Sequence, residues 1–178
     1  ELRSFARTLP RKAQRIRLLV EKSGAISLEA FPLDRRIGNN LRVAVARKPI
    51  HTSDVFVFHK TTNRRVYESA MKENPRCRDV ILWNEKGEVT ESTVANVFVN
   101  IGGRLFTPPV ACGLLGGTMR AHLLNTGRVT ERVISISELL RSPVVYLGNS
   151  VRGMYRVRVM RTTAHDLEAP DARARRHA

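Results

Sequence analysis

The sequence has only two cysteines, Cys77 and Cys112, among its 178 residues. Two are too few for a disulfide scaffold or for a four-cysteine zinc site. Apolar runs are short: none approaches the roughly 20 residues that a membrane-spanning helix needs, and no secretory signal is recognisable. We therefore expect a reduced, cytoplasmic protein with no membrane partner.

Acidic residues are also scarce, since 16 Asp and Glu stand against 31 Lys and Arg, giving a formal net charge of +15. An excess of this size is typical of proteins that bind nucleic acid or another polyanion. Aromatic residues make up only 6%, however, and the arginines scattered through the middle of the chain do not alternate with aromatics as a base-stacking surface requires. Much of the excess lies near the two ends, at Arg3, Arg7, Arg11, Lys12, Arg15, Arg17, Arg173, Arg175 and Arg176. Nucleic acid is therefore not the favoured partner, although a basic, non-catalytic binding module stays open as an alternative.

Metal and serine-hydrolase chemistry find little support in the sequence. The five histidines show no HExxH or other paired metal spacing. Ser92 lacks the Gly-x-Ser-x-Gly elbow of a hydrolase nucleophile. We predict no metal site.

The apolar periodicity predicts a mixed fold of the α/β (α+β) class with more strand than helix. One hairpin is predicted over residues 15–33 about Gly24, and a second over 94–106 about Gly102-Gly103. Single strands are predicted at 41–46, 55–58, 79–83, 129–135, 144–147 and 155–160. Helices are predicted from an N-cap at Thr61 or Thr62 to the residues before Pro75, at 118–124 and at 137–140.

Lys60 follows the apolar run at 55–58 and precedes the first predicted helix. A lysine in that place is partly desolvated and lies beside the positive end of a helix dipole. Both effects favour the neutral amine, which is the form that attacks a carbonyl. Lys60 is thus a candidate nucleophile, against the alternative of an ordinary surface lysine.

Glu91 lies between the predicted turn at 84–87 and the next apolar strand. A single glutamate in such a place is ordinarily exposed to solvent. A functional role requires a cationic partner, such as a protonated ring nitrogen.

Gly116 and Gly117 lead into the predicted helix at Thr118. Free backbone N–H groups at such a helix start can bind a phosphate, although capping without a ligand is an equal alternative. Asn149 and Ser150 add an amide and a hydroxyl on a predicted loop after a strand.

Read together, four segments in this order resemble the fold-type IV pyridoxal-phosphate (PLP) enzymes. They are His59-Lys60-Thr61-Thr62-Asn63-Arg64, the stretch from Asn84 to Phe98, Gly113-Leu114-Leu115-Gly116-Gly117-Thr118-Met119-Arg120 and Asn149-Ser150-Val151-Arg152-Gly153. The family includes branched-chain and D-amino-acid aminotransferases and 4-amino-4-deoxychorismate lyase. The segments are most similar to the lyase, including the form fused to the aminodeoxychorismate synthase subunit.

The resemblance implies a role for each matched residue. Lys60 matches the lysine that bonds the cofactor and later moves a proton, and Glu91 matches the carboxylate that pairs with the pyridine nitrogen. Thr118 and Met119 match residues whose N–H groups hold the phosphate. The other implied cofactor contacts are Asn96, Leu115, Gly117, Asn149 and Ser150, and Arg152 is a candidate contact for a substrate carboxylate. Relatives often carry proline where this chain has Gly116.

A D-amino-acid aminotransferase-like fold follows from the same resemblance. We expect residues 1–33 to be a remnant of the N-terminal subdomain that ends in the hairpin 15–33. Residues 34–160 would form the PLP-binding C-terminal subdomain, and residues 161–178 a flexible basic tail. The rest of the N-terminal subdomain, which in relatives supplies an arginine to the phosphate, is expected to be largely missing.

The implied activity is a PLP-dependent lyase that converts 4-amino-4-deoxychorismate to p-aminobenzoate and pyruvate in folate biosynthesis. A class IV aminotransferase for branched-chain or D-amino acids, using the same Lys60, is the alternative. A homodimer, and fusion to or partnership with a chorismate-binding synthase subunit, are implied as well.

Overall fold

The computed structural model describes residues 1–33 and 41–160. The chain divides into two compact units, Glu1–Ile37 and Gly38–Ala178. The predicted tail at 161–178 and the turn-rich segment at 34–40 lie outside the described residues. The predicted functions of the regions 1–33 and 34–160 stay predictions.

The first unit consists of a helix and a hairpin. Its elements are α1 (Leu2–Thr8), β1 (Gln14–Val20) and β2 (Ile26–Pro32). The predicted hairpin is confirmed, with antiparallel strands and Gly24 at φ +85° in the turn. The helix α1 was not predicted, because no side chain caps its start and so the sequence carries no helix-start signal there.

The second unit is built on one eight-stranded sheet. Its strands are β3 (Leu41–Val45), β4 (Asp79–Trp83), β5 (Val89–Ser92), β6 (Asn96–Ile101), β7 (Arg104–Thr107), β8 (Thr130–Glu131), β9 (Val145–Asn149) and β10 (Gly153–Val159). The strand order is β5-β4-β3-β10-β9-β6-β7-β8, and β3 runs parallel to both of its neighbours. A further antiparallel pairing, Glu91 opposite Asn96, joins β5 to β6 and closes six of the strands into a barrel.

Three helices and two short 3₁₀ turns connect these strands. The helices are α2 (Arg65–Glu73), α3 (Thr118–Asn125) and α4 (Ile136–Arg141), and the 3₁₀ turns are Val55–Val57 and Val110–Cys112. A capping box at Ser135 and Glu138 starts α4, close to where a helix was predicted. The helix α2 ends at Glu73, before Pro75, as predicted.

Valine, leucine and isoleucine side chains from the barrel strands fill the main core. Every residue of β4 is buried, which suits a central strand with a parallel neighbour and a covered face on both sides. Trp83 at its end is fully buried, and its indole N–H donates to the carbonyl of Ala46 at 2.7 Å. A smaller apolar cluster of Phe98, Leu123 and Val129 lies at α3.

The apolar run at 55–58 is a 3₁₀ turn, so the predicted strand is wrong. Asp54 caps the turn, because its carboxylate accepts from the N–H of Phe56 at 2.9 Å. The backbone then closes tight i+3 hydrogen bonds, from Val57 to Asp54 and from Phe58 to Val55. A four-residue apolar run satisfies a strand and a short helical turn equally well, and the capping aspartate decides between them.

Two other predicted boundaries need correction. The helix α2 begins at Arg65 rather than at Thr61 or Thr62, because the Thr61 hydroxyl accepts from the N–H of Asn63 in a local turn. The strand predicted at 129–135 shortens to Thr130–Glu131, which pairs with β7 at the edge of the sheet.

A buried carboxylate secures the turn between β5 and β6. Asp79, at the start of β4, is 1% exposed and accepts from the Ser92 hydroxyl at 2.8 Å. It also accepts from the Thr93 hydroxyl at 2.6 Å and from the Thr93 N–H at 3.0 Å. Because the turn at 92–95 connects the two strands that close the barrel, Asp79 holds this closure in place.

We expect Asp79→Ala to lower the free energy of unfolding by about 3 kcal/mol, since it leaves buried donors without an acceptor. Urea titration followed by circular dichroism measures the loss. The exposed Glu68→Ala on α2 is the control and should cost less than about 1 kcal/mol. Equal losses in the two variants would show that the buried network does not stabilise the barrel.

Candidate active site

A cavity of about 470 Å³ opens in the second unit where β5 and β6 meet. Its walls come from the loop before α2, the β5–β6 turn, the start of α3 and the end of β9. The lining residues are Phe58, Lys60, Arg64, Tyr67, Glu91, Ser92, Thr93, Val94, Ala95, Asn96, Leu115, Gly116, Gly117, Thr118, Met119, Asn149 and Ser150. Every residue that the motifs matched to the cofactor therefore lies at one cavity.

Glu91 lies on β5 directly opposite Asn96 of β6, at the point where the barrel closes. Its side chain is only 4% exposed, unlike the solvent-exposed glutamate that is ordinary in such a place. The Tyr67 hydroxyl on α2 donates to Glu91 Oε1 at 2.8 Å. The carboxyl is therefore buried, oriented by one phenol and directed at the cavity.

Burial raises the pKa of the Glu91 carboxyl to about 7. The hydrogen bonds from Tyr67 and from the backbone of Leu115, and the charges of Lys60 and Arg64, act in the opposite direction. Burial also raises the pKa of the Tyr67 phenol above its ordinary range, and the neighbouring Glu91 adds to that effect. Within this pair Tyr67 keeps its proton, and Glu91 is the group that titrates near neutrality.

Lys60 lies at the cavity on the loop between the 3₁₀ turn and α2. Its side chain is exposed, so the partial desolvation expected from a strand end is not found. The reason is the 3₁₀ turn, which replaces the predicted strand before it. A free primary amine at the mouth of the cavity remains accessible to a carbonyl compound.

The helix α3 presents its N-terminus to the cavity. Gly117 is the N-cap, no side chain caps the helix, and the N–H groups of Thr118 and Met119 have no acceptor within it. A Cβ at Gly117 would approach Asn96 Oδ1 to 2.2 Å, so only glycine fits there. Asn96 cannot easily move away, because its amide donates to the carbonyl of Leu115 at 2.8 Å.

Arg120 fixes the direction of α3. The side chain is 4% exposed, and its guanidinium donates to the carbonyl of Pro108 at 2.8 Å and to the carboxylate of Glu131. Both acceptors lie outside the helix, on segments next to β7 and on β8. The helix start is thereby held at the cavity by an anchor in its own first turn.

Asn149 is the last residue of β9 rather than a loop residue, and Ser150 begins the turn after it. The Asn149 amide donates to the carbonyl of Val94 at 3.1 Å, and its oxygen accepts from the N–H of Arg152 at 2.9 Å. Arg152 itself is exposed and does not line the cavity. The structure therefore does not bring Arg152 to the cavity, where it was suggested to contact a substrate carboxylate.

Tyr67 and Arg64 are cavity residues that the sequence analysis did not assign. The Arg64 guanidinium lies 4.7 Å from the centre of the Tyr67 ring and donates to the carbonyl of Thr93. A signal was present for Tyr67, since a tyrosine on the apolar face of α2 needs a buried partner for its hydroxyl. No sequence signal identifies Glu91 as this partner, because Glu91 lies 24 residues further along the chain.

Residues 1–33 and 41–160 contain no group of three or more His, Cys, Asp or Glu that could hold a metal ion. Nor is any helix there long and apolar enough to cross a membrane.

Comparison with known proteins gives the family. The sequence model of amino-transferase class IV matches residues 1–160. The chain belongs to the class IV aminotransferase family. A crystal structure described as a "putative amino-acid aminotransferase" from Mesorhizobium loti has a TM-score of 0.82 at 33% identity, covering 88% of this chain and 78% of that chain. The class IV fold that the motifs predicted is thereby confirmed.

Curated class IV relatives carry two kinds of name. A "putative aminodeoxychorismate lyase" of Schizosaccharomyces pombe is 32% identical over 146 residues, which is 78% of this chain and 63% of the relative. A "probable branched-chain-amino-acid aminotransferase" of Thermotoga maritima is 33% identical over 104 residues, which is 56% of this chain and 38% of the relative. The chain thus spans less than two thirds of the length of either protein.

The pKa of Glu91 predicts how stability depends on pH in the cofactor-free protein. Between the ordinary value of 4.5 and about 7 the folded state binds more protons than the unfolded state. The free energy of unfolding therefore falls as pH rises through this window, by up to about 3 kcal/mol, and is level above it. Glu91→Gln should remove this fall and be more stable than wild type at pH 8.

Urea unfolding at pH 5, 6, 7 and 8 measures the difference between wild type and Glu91→Gln. Subtracting one curve of unfolding free energy against pH from the other cancels the contribution of the other carboxylates. Glu68→Gln, on the exposed side of α2, controls for the removal of a charge. Parallel curves for wild type and Glu91→Gln would contradict the shifted pKa.

Proposed function

We propose that this chain binds PLP and acts as a lyase that converts 4-amino-4-deoxychorismate to p-aminobenzoate and pyruvate. The observation that carries the proposal is the convergence of three groups at one cavity: the amine of Lys60, the buried carboxyl of Glu91 and the uncapped start of α3. In chemical type, the amine is complementary to the aldehyde of PLP, the carboxyl to its protonated ring nitrogen and the helix start to its phosphate. The residues present therefore fit the cofactor.

When bound, PLP supplies an electron sink that accepts the electron pair left by bond cleavage in the substrate. The chain's residues would hold and tune it. Lys60 would hold its aldehyde group through the side-chain amine, and the Glu91 carboxylate would pair with its protonated ring nitrogen. The N–H groups of Thr118 and Met119 bind its phosphate, where the helix dipole also favours negative charge.

Lys60 has a second task in the proposed reaction. Its Nζ would act as a base that carries a proton between neighbouring atoms of the substrate. Its exposed place at the cavity mouth allows that movement. Leu115, Asn149 and Ser150 complete the wall around the same space and limit where the cofactor ring and phosphate can lie.

A class IV aminotransferase is the second candidate, because the same Lys60 and Glu91 serve both reactions. The Mesorhizobium loti structure and the Thermotoga maritima relative bear aminotransferase names. We favour the lyase because the four motif segments are most similar to it, and because among the curated relatives the Schizosaccharomyces pombe protein matches more of this chain than the Thermotoga maritima protein, 78% against 56%. A cytoplasmic homodimer that works with a chorismate-binding synthase subunit belongs to this proposal.

Borohydride reduction after incubation with PLP tests the cofactor and the lysine together. We expect one pyridoxyl adduct, on Lys60, identified by peptide mass mapping and lost in Lys60→Ala. Exposed lysines elsewhere, such as Lys86, serve as internal controls for non-specific labelling. Equal labelling of Lys60 and Lys86 would contradict the proposal.

Product analysis then separates the two reactions on the same protein. The lyase predicts p-aminobenzoate and pyruvate from 4-amino-4-deoxychorismate without a keto-acid acceptor. Amino transfer from a branched-chain amino acid to a keto acid, with no p-aminobenzoate formed, would establish the aminotransferase instead.

Gly117→Ala should weaken PLP binding at least tenfold, because the added Cβ displaces Asn96 and disturbs the phosphate site. Gly116→Ala is the matched control, since a Cβ there meets nothing closer than 3.7 Å and the backbone angle is unrestrictive. Cofactor absorbance titration measures both affinities. Similar affinities in the two variants would contradict the role given to the α3 N-terminus.

A further inference from the structure

Within residues 1–33 and 41–160, the one side-chain hydrogen bond that Glu91 receives comes from Tyr67. The phenol oxygen lies 2.8 Å from Glu91 Oε1, and both side chains are buried, at 8% and 4% exposure. The two residues come from different elements, Tyr67 from α2 and Glu91 from β5. The contact therefore links the helix that follows Lys60 to the strand that carries the acid.

Tyr67 is itself held in place by Arg64. The Arg64 guanidinium lies 4.7 Å from the Tyr67 ring centre, within the range of a cation–π contact, and it is tethered to the carbonyl of Thr93. Thr93 in turn is fixed by the carboxylate of Asp79. A continuous set of contacts thus runs from the buried start of β4 to the phenol that faces Glu91.

The direction of this hydrogen bond is fixed. Because burial holds the Tyr67 phenol in its protonated form, the hydroxyl donates and the carboxylate accepts. A donor to the charged form stabilises that form over the neutral acid. Among the other groups, Lys60, Arg64 and the backbone of Leu115 lower the pKa of Glu91, while Asp54 raises that of Tyr67.

We propose that Tyr67 is a positioning residue, which favours the ionised form of the Glu91 carboxyl and aims it into the cavity so that it can hold a cationic ring nitrogen. This role rests on the proposed function, because it concerns the same cofactor. It goes beyond that function in assigning a residue outside the four matched segments. Without the phenol, Glu91 would be a buried neutral acid at neutral pH and a poorer partner for a protonated ring.

Carbon-13 NMR of the cofactor-free protein tests the role directly. The protein is labelled at the glutamate carboxyl carbon, and Glu91→Gln assigns the resonance. We expect the wild-type resonance to titrate with a pKa of about 7. In Tyr67→Phe the midpoint should rise by roughly one unit, as the loss of a hydrogen bond to a charged group requires. Tyr146→Phe, which removes a hydroxyl that does not contact Glu91, should leave the midpoint unchanged.

Replacement of Tyr67 by 3-fluorotyrosine covers the case in which Tyr67→Phe does not fold. This side chain keeps the shape of tyrosine and is a stronger donor, so the Glu91 midpoint should fall. If Tyr67 had only a structural role, the two substitutions would not shift the Glu91 midpoint in opposite directions. An unchanged midpoint in either folded variant would overturn the proposal.

The same samples separate this role from the proposed function. If the midpoint shifts as expected but PLP never labels Lys60, the cofactor assignment fails and the role of Tyr67 in setting the ionisation of Glu91 stands. If Lys60 is labelled normally and the midpoint does not move, only the role of Tyr67 is overturned. Where both hold, PLP affinity of Tyr67→Phe relative to wild type should be lowest below pH 7, rise between pH 7 and 8 and recover by pH 9.

Discussion

The carboxylate of Asp79 lies where the barrel closes, and the geometry of the cavity depends on it. A sheet of this topology closes only if β5 turns sharply into β6, and a turn of a few residues leaves several polar groups buried. Asp79 accepts hydrogen bonds from Ser92 and Thr93, so that these groups are satisfied without water. The closed barrel then sets Glu91 opposite Asn96.

Backbone groups make several of the contacts that shape the cavity. The carbonyl of Val94 accepts from Asn149, that of Leu115 accepts from Asn96, and the start of α3 offers its own N–H groups. Groups held this way change position little on binding, because the sheet and helix that carry them are rigid. Lys60 differs from them, because it is exposed on a loop beside this frame.

The order of four motifs in the sequence predicted residues that the structure brings to one cavity, because motif residues are close in sequence to the strand ends and helix starts that position them. Glu91 and Gly117 could be assigned in this way. Tyr67 and Asp79 could not, because their importance comes from partners on distant strands that meet only after the barrel closes. The 3₁₀ turn before Lys60 was mistaken for a strand, since four apolar residues show no period that distinguishes the two.

Val94 illustrates a consequence of building a site from backbone. Its carbonyl accepts from the Asn149 amide, while the residue is 54% exposed. A different residue with the same backbone conformation would keep this hydrogen bond. Mutations can therefore accumulate at such positions over evolutionary time, and descendants of one ancestral protein can diverge in sequence while the hydrogen bonds that shape the cavity are inherited intact.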